Sequence, residues 1–287
     1  MSMKSLRLFC FRAYDEDECK KCYKQLLDAG LLQQFQDDIE GIRAAPNSTH
    51  FICPQGSGSL VKYFVNKADC DILFQHRVIE LNTVNNKWMA LCENGSNFEF
   101  DAVILTLPVP QVLQLKGITS QLSDDHLNKL KAVEYCSRFA LGCFFEKDYE
   151  FFKNSSWSGK FLSDNIIRFC SIDHCKRGSS GLPSVAIHTT KEFGKLHIDD
   201  SNLSTIQDTV IQRLKELFPE MPLPSQIKFH KWRYSQAEKS CQVQGSLKLA
   251  ENPYLICGGD GFTYSTFEGC ILSAESIADN LAKKSYL

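Results

Sequence analysis

The C-terminal part of the chain contains Tyr254-Leu255-Ile256-Cys257-Gly258-Gly259-Asp260-Gly261-Phe262, and a helix-forming run, residues 267–278, follows it. This pattern predicts a short buried strand, a turn rich in glycine, and a helix that begins with small residues. Such a turn brings backbone N–H groups and a helix N-terminus close to an anionic ligand. Glycine removes the Cβ that would block this approach, and Asp260 can accept hydrogen bonds from sugar-type hydroxyls. The stretch therefore indicates one end of a site for an anionic cofactor.

Length and composition fit a folded globular protein. The chain has 287 residues, of which 43% are hydrophobic, which suffices for one large domain or two closely associated ones. A formal charge of −2 gives no reason to expect nucleic acid as a partner, and no apolar run approaches the ~20 residues of a membrane span. Arg7 and Arg12 interrupt the first apolar stretch, so no signal peptide is predicted. We expect a cytoplasmic protein without nucleic-acid or membrane partners, with secretion as the alternative; no pattern sets an oligomeric state.

The thirteen cysteines form no disulfide or metal framework in the sequence. Their number is odd, and most lie inside apolar stretches, which favours free buried thiols. Cys19 and Cys22 form a C-x-x-C pair, but no second pair follows at zinc-site spacing. We therefore predict no metal site.

Periodic patterns divide the rest of the chain into helices and strands. Apolar residues recur at helical spacing in 15–32, 60–67 and 204–218. Residues 102–107 are apolar at nearly every position, which predicts a parallel strand buried on both faces. Alternation and turn signals predict further strands at 51–53, 71–75, 77–83, 87–92, 97–100, 137–146, 166–172, 184–190, 226–234 and from 254 onward.

The order of these elements predicts an α/β fold with two domains. Residues 1–135 and 250–287 would form a discontinuous cofactor-binding domain, to which the last strand and helix return. Residues 136–249 would form a β-rich domain with one covering helix, and we expect this domain to supply the substrate pocket.

One stretch imitates a dinucleotide-binding opening. Phe51-Ile52-Cys53 precedes Gly56-Ser57-Gly58 and a predicted helix. Val61 occupies the position where a small residue is needed for close helix–strand packing, and Pro54 interrupts the passage from strand to turn. We therefore do not favour this interpretation, although nucleotide binding at Gly56–Gly58 stays an alternative.

The run Trp232-Arg233-Tyr234 lies on a predicted strand, where alternation places Trp232 and Tyr234 on one face. The two aromatic residues either pack within a sheet or border a flat substrate. Similarly, the strand around Val78 is either an ordinary sheet element or a neighbour of the adenine end of a dinucleotide. No catalytic triad, metal cluster or phosphate-binding loop stands out.

Nine short stretches, taken in order, identify a family. They are Ile39-Glu40-Gly41, Pro54-Gln55-Gly56, Phe74-Gln75-His76-Arg77-Val78, Thr106-Leu107-Pro108-Val109-Pro110-Gln111, Ser137-Arg138-Phe139-Ala140-Leu141-Gly142, Arg168-Phe169-Cys170-Ser171-Ile172-Asp173, Ile187-His188-Thr189-Thr190, Lys231-Trp232-Arg233-Tyr234-Ser235-Gln236 and Cys257-Gly258-Gly259-Asp260-Gly261-Phe262-Thr263. From about residue 23 to the C-terminus the chain resembles the renalase family of amine-oxidase-like flavoproteins.

The resemblance implies an FAD-dependent oxidoreductase with a p-hydroxybenzoate-hydroxylase-like, FAD/NAD(P)-binding fold. The family oxidises the 2- and 6-dihydro isomers of NAD(P)H to NAD(P)+, with O2 as acceptor and hydrogen peroxide as product. The implied partners are therefore a dihydronicotinamide dinucleotide and O2. The flavin carries the chemistry, so the resemblance implies no catalytic side chain.

Site residues follow from the resemblance by position. Trp232 and Tyr234 would border the substrate. The residues that would contact FAD are Val78, Asp260, Gly261, Phe262, Phe267, Glu268 and Gly269.

The N-terminal end departs from the family pattern. Renalases open with a strand, a glycine-rich turn and an acidic residue for the adenosine ribose, whereas this chain begins Met1-Ser2-Met3-Lys4-Ser5-Leu6-Arg7-Leu8-Phe9. We expect a flavin domain that is incomplete at the N-terminus, with unpaired strand edges and exposed apolar surface. The alternative function is a truncated, catalytically inactive variant that acts at most as a binding or regulatory protein.

Overall fold

The computed structural model describes residues 11–13, 17–35, 39–42, 49–178 and 181–283. The chain divides into two compact units, residues 1–69 with 136–235 and residues 70–135 with 236–287. The strands are β1 Phe11–Ala13, β2 Gln33–Gln34, β3 Ile39–Glu40, β4 Thr49–Ile52, β5 Val78–Val84, β6 Lys87–Cys92, β7 Asn97–Phe100, β8 Ala102–Leu105, β9 Glu134–Phe144, β10 Gly159–Phe161, β11 Ile167–Ile172, β12 Ser184–Thr189, β13 Gln226–Lys239, β14 Ser246–Glu251 and β15 Tyr254–Gly258. The helices are α1 Asp17–Asp28, α2 Gly58–Ala68, α3 Val109–Val112, α4 Asp124–Lys131, α5 Glu150–Lys153, α6 Asp173–Lys176, α7 Lys191–His197, α8 Leu203–Leu217 and α9 Phe267–Ala282.

The first unit contains a six-stranded sheet in the order β13-β9-β12-β11-β10-β3. Helix α8 covers one face, because Ile206, Val210 and Leu214 recur at helical spacing and are all buried. They pack with Phe139 and Leu141 of β9 in the core of this unit. The Asn202 side chain caps α8 by accepting a hydrogen bond from the backbone N–H of Thr205.

The second unit contains two three-stranded sheets, β5-β6-β7 and β14-β15-β8. Strands β8 and β15 are parallel, and β15 is buried at every position. Leu255 and Cys257 face one apolar cluster, whereas Tyr254 and Ile256 pack with Ile277 of α9. This burial on both faces explains why residues 254–257 are uniformly apolar.

Strand β8 corrects one prediction. Residues 102–105 do form a strand parallel to β15, but they are not buried on both faces, because Ile104 is 45% exposed. Among the described residues β8 pairs only with β15, so it lies at the edge of its sheet. Ile104 therefore contributes apolar surface that is exposed at this edge.

The predicted strand at 71–75 is wrong. These residues form no strand, and Ile72, Leu73 and Phe74 are exposed. Gln75 has a φ of 62°, in the left-handed region, and this interrupts an extended path into β5.

The assignment of residues 1–135 with 250–287 to a cofactor domain and of residues 136–249 to a substrate domain stays a prediction. In the structure the segment before Asp69 belongs to the first unit, where β3 pairs with β10. Residues 236–249 belong to the second unit, where β14 pairs with β15. Pairings between segments far apart in sequence therefore set the boundaries.

Two further features concern the described residues only. Every cysteine in them is a free thiol. No helix in them is both long and apolar enough to cross a membrane.

Candidate flavin and substrate site

The carboxyl ends of β8 and β15 lie side by side, with Leu105 paired to Cys257. The chain leaves β8 through Thr106 and leaves β15 through Gly258. In parallel α/β sheets, ligands bind in the crevice outside these strand ends. The turn Gly258–Phe262 therefore occupies the position where such a sheet holds a ligand.

Two glycines shape this turn for different reasons. A Cβ on Gly258 would collide with the Ile277 side chain and lie 2.7 Å from the Ser273 hydroxyl, so α9 requires glycine there. Gly259 has a φ of 117°, and its N–H donates a 2.7 Å hydrogen bond to Ser273 Oγ. A Cβ on Gly259 would meet only the Thr106 carbonyl oxygen, at 3.7 Å. Gly259 thus leaves the backbone open to close approach.

Asp260 is held by two hydroxyl groups. Ser265 Oγ donates to Oδ2 at 2.6 Å, and the Tyr135 hydroxyl donates to Oδ1 at 3.4 Å. Burial raises the pKa of the Tyr135 phenol, and the charge of Asp260 raises it further, so Tyr135 stays a donor. A Cβ on Gly261 would collide with the Tyr135 hydroxyl. Each carboxylate oxygen of Asp260 keeps a further lone pair for a ligand hydroxyl.

Helix α9 begins directly beside this turn. Thr266 caps it by accepting a hydrogen bond from Gly269 N–H at 3.2 Å. Gly269 is required because a Cβ would collide with the Tyr264 carbonyl oxygen, while Thr263 Oγ1 donates to the Gly269 carbonyl at 2.8 Å. The positive end of a 16-residue helix therefore lies at the turn that contains Asp260.

The first unit carries a second arrangement, on the sheet face opposite its core. Ile227 and Phe229 of β13 pack against the core, so alternation places His230, Trp232 and Tyr234 on the other side. The rings of His230 and Trp232 lie 4.1 Å apart, which agrees with this assignment. Both Trp232 and Tyr234 are half-buried.

Strand pairing extends this side across the sheet. Ala140 pairs with His188, and Ala186 pairs with both Gly142 and Ser171. Small side chains thus form its centre, between polar and aromatic ones. We define the second sheet face by Arg138, Ala140, Gly142, Phe169, Ser171, Ala186, His188, His230, Trp232 and Tyr234.

Comparison with known proteins identifies the chain. The family model for flavin-containing amine oxidoreductases matches residues 2–282. The chain belongs to that family. Mouse renalase is 39% identical over 266 residues, which are 91% of this chain and 77% of the mouse protein. The predicted membership of the renalase group is therefore confirmed.

Solved structures show the same fold. A putative protoporphyrinogen oxidase from Exiguobacterium superposes with a TM-score of 0.65 at 14% identity, over 84% of this chain and 54% of that one. A putrescine oxidase bound to putrescine superposes with a TM-score of 0.61 at 11% identity, over 82% of this chain and 54% of that one. The chain spans about half the length of these structures. The predicted α/β, p-hydroxybenzoate-hydroxylase-like fold and FAD as cofactor are confirmed at family level.

The residues of the turn around Asp260 fit an FAD molecule. Gly259 leaves open space that a Cβ would begin to fill. The N-terminus of α9 favours a negatively charged group next to this space. Asp260 suits a sugar-type hydroxyl. The structure brings Asp260, Gly261, Phe267, Glu268 and Gly269 together as one strand–turn–helix unit.

Two predicted contact residues pack against the apolar cluster of the second unit, and their contact with FAD stays a prediction. Phe262 is 1% exposed and packs in the apolar cluster of the second unit, so its side chain anchors the turn. Val78 is partly buried against the same cluster and pairs with Cys92. Any contact of Phe262 with FAD therefore involves the backbone.

Among the described residues, the possible metal ligands, the buried thiols and one cavity add nothing to the chemistry of the turn around Asp260. No group of three His, Cys, Asp or Glu side chains among them could hold a metal ion. Burial raises the pKa of Cys257 to about 12, and burial also raises that of Cys53 to about 11, so both remain thiols. A cavity of about 410 Å³ lies near Trp88 and Asn252, at the amino end of β15 and away from the turn.

Sequence reasoning missed part of the second sheet face. Trp232 and Tyr234 were considered as site residues in the sequence, but Arg138 was not. The alternation of β9, with Phe139 and Leu141 in the core, carries the signal for Arg138. The Gly56–Gly58 alternative loses support, because β4 pairs antiparallel with both β1 and β2.

Proposed function

We propose that this chain oxidises the 2- and 6-dihydro isomers of NAD(P)H to NAD(P)+, using FAD, with O2 as acceptor and hydrogen peroxide as product. The similarity to mouse renalase over 91% of the chain carries this proposal. The net reaction consumes one dihydronicotinamide, one O2 and one proton, and it yields NAD(P)+ and hydrogen peroxide.

The cofactor side is the turn between β15 and α9. Asp260, oriented by Ser265, would accept hydrogen bonds from hydroxyls of FAD. Backbone groups of Gly261 and Phe262, and the start of α9 at Phe267, Glu268 and Gly269, would face its anionic part. Val78 would lie towards the adenine end.

The substrate side is the second sheet face. Trp232 and Tyr234, both half-buried on β13, would border a flat nicotinamide ring. Such walls restrict how the ring can turn, and the orientation of the ring decides which carbon is presented for transfer. Trp232 and Tyr234 are therefore positioning residues for isomer selection.

When bound, FAD would supply the hydride-accepting and O2-reducing chemistry. The chain's own residues bind and orient the reactants. No protein acid or base is needed for hydride loss from a dihydronicotinamide.

Peroxide production with different substrates tests the proposal. FAD-supplemented protein should release hydrogen peroxide with 6-dihydroNAD and with 2-dihydroNAD. Ordinary 4-dihydro NADH and putrescine should give little. Turnover of putrescine alone would instead assign an amine oxidase, which the family description also allows.

A second candidate is a binding protein without turnover. The exposed edge at β8, where Ile104 is 45% exposed, favours it, because such an edge suits pairing with another strand. FAD binding without peroxide release from any dihydronicotinamide would support this candidate.

A further inference from the structure

Arg138 lies on the second sheet face without a carboxylate partner. It is half-buried, and its Nη1 donates a 3.0 Å hydrogen bond to the Thr189 carbonyl oxygen. No carboxylate among the described residues forms an ion pair with it. A guanidinium group has five N–H donors in a fixed fork, so most of the hydrogen-bonding capacity of Arg138 remains available.

Other arginines of the same unit are arranged differently. Arg213 pairs with Asp164 at 2.6 Å, Arg233 with Asp199 at 2.7 Å and Arg177 with Asp173 at 2.8 Å. Arg168 contacts the Leu162 carbonyl and the Phe161 ring, and it is exposed to water. Arg138 is thus both partly withdrawn from water and not neutralised, a state that an anionic ligand would stabilise.

The side chains near Arg138 indicate which class of anionic ligand it would bind. Half-buried His188 lies on the same face, and Trp232 and Tyr234 lie on the strand next to β9. The small residues Ala140 and Ala186 are themselves buried, so a ligand would contact the half-buried side chains of Arg138, Trp232 and Tyr234. Aromatic walls suit a flat heterocycle, whereas a guanidinium fork matches the oxygens of a phosphate. One molecule that carries both is a nucleotide.

We propose that Arg138 binds a phosphate group of the nucleotide substrate while the nicotinamide ring lies between the aromatic residues of the second sheet face. This assignment deepens the proposed function and rests on it for the identity of the ring. Arg138 is then a specificity-determining residue: it favours phosphorylated dihydronicotinamides over the corresponding nucleosides. The phosphates of FAD are a different source of the same chemistry, so the experiment measures them separately.

The test compares two ligands that differ by one phosphate. Dissociation constants of nicotinamide mononucleotide and nicotinamide riboside are measured by calorimetry on the full chain. The unmodified protein should prefer the mononucleotide, and Arg138→Met should reduce its affinity roughly tenfold to a hundredfold with little change for the riboside. Arg138→Lys keeps the charge but loses the forked donor geometry, so its affinity for the mononucleotide should lie between those of the unmodified protein and Arg138→Met. FAD affinity should not change in either variant.

Arg233→Met is the matched control, because Arg233 lies on the opposite face of β13 and pairs with Asp199. It should leave both ligands unaffected. Equal affinity for the two ligands in the unmodified protein, an equal loss for both in Arg138→Met, or a loss of FAD affinity would overturn the assignment and leave the proposed function standing. If neither nicotinamide ligand binds but inorganic pyrophosphate binds through Arg138, the phosphate site stands and the nicotinamide function fails. If neither the nicotinamide ligands nor pyrophosphate binds, both the phosphate site at Arg138 and the proposed function are contradicted.

Discussion

The hydroxyl of Ser265 donates a 2.6 Å hydrogen bond to Oδ2 of Asp260, five residues earlier in the chain. This bond connects the turn after β15 to the segment that leads into α9. It fixes the direction of the carboxylate before a ligand arrives, since Tyr135 engages the other oxygen. Asp260 is therefore preorganised, and binding need not supply the cost of ordering this side chain.

Replacing Asp260 should weaken FAD binding more than it weakens folding. Charge-assisted hydrogen bonds contribute about 1.5–3 kcal/mol each, so Asp260→Asn should raise the dissociation constant for FAD roughly tenfold to a hundredfold. Flavin fluorescence quenching measures this constant. If Asp260 serves only to stabilise the turn, the melting temperature will fall while FAD affinity per folded molecule stays the same.

Gly259→Ala should impair both folding and FAD binding. The φ of 117° is unfavourable for alanine, and the added methyl group would enter the space beside the Thr106 carbonyl. Gly95→Ala is the control in the same unit: Gly95 has a φ of 86° and no neighbour within 4 Å of an added Cβ. Both variants should lose stability by about 1–2 kcal/mol, but only Gly259→Ala should lose FAD affinity. An equal loss of FAD affinity in Gly259→Ala and Gly95→Ala would contradict the proposed role of Gly259.

Asp164 should stabilise the first unit in a pH-dependent way. Burial raises the pKa of Asp164, but hydrogen bonds from Arg213 and from the backbone N–H groups of Ile167 and Ile166 outweigh burial and lower it below 3.8. A lowered folded-state pKa gives stability that is fully present above the unfolded pKa and is lost as pH falls through the folded pKa. Asp164→Asn should therefore cost about 1–3 kcal/mol at neutral pH, and the difference should shrink in acid.

Asp199→Asn provides the comparison for Asp164. Asp199 also pairs with an arginine, Arg233, but its side chain is 81% exposed, against 6% for Asp164. Water weakens exposed ion pairs, so this variant should change the free energy of unfolding only slightly. Urea denaturation at several pH values measures both variants. Equal losses of unfolding free energy in Asp164→Asn and Asp199→Asn would show that burial does not distinguish the Asp164–Arg213 pair from the Asp199–Arg233 pair.

Trp232→Ala should slow reduction of the flavin by substrate and leave FAD bound. Trp232 lies on the second sheet face with His230, in the first unit, whereas the Asp260 turn belongs to the second unit. Rapid-mixing reduction rates and flavin absorbance after gel filtration separate the two effects. A colourless variant would contradict the assignment of Trp232 to the substrate side.

Local patterns predicted much of the structure. The Asn85-Asn86 turn, with φ values of 49° and 63°, and the alternating residues after it set the strands at 87–92 and 97–100. The glycine-rich turn after β15 was recognised because its residues are contiguous. Its cofactor role stays a prediction, as do the assigned contact residues.

Features that depend on distant segments were not predicted. The pairing of β3 with β10 places the first segment in the first unit, and no local pattern encodes that contact. Likewise, the exposure of Ile104 depends on which strands flank β8 rather than on its own apolar sequence. The position of Arg138 among aromatic residues required the sheet order β13-β9-β12.

The most direct test of the proposed activity is anaerobic mixing of the FAD-loaded chain with dihydronicotinamide isomers. The account predicts that 6-dihydroNAD bleaches the visible flavin absorbance rapidly, and that air restores the colour with release of one hydrogen peroxide per flavin. Ordinary 4-dihydro NADH should bleach it far more slowly, because a different ring carbon carries the hydride. Equal rates with both isomers, or bleaching by putrescine and by neither dihydronicotinamide, would contradict the account.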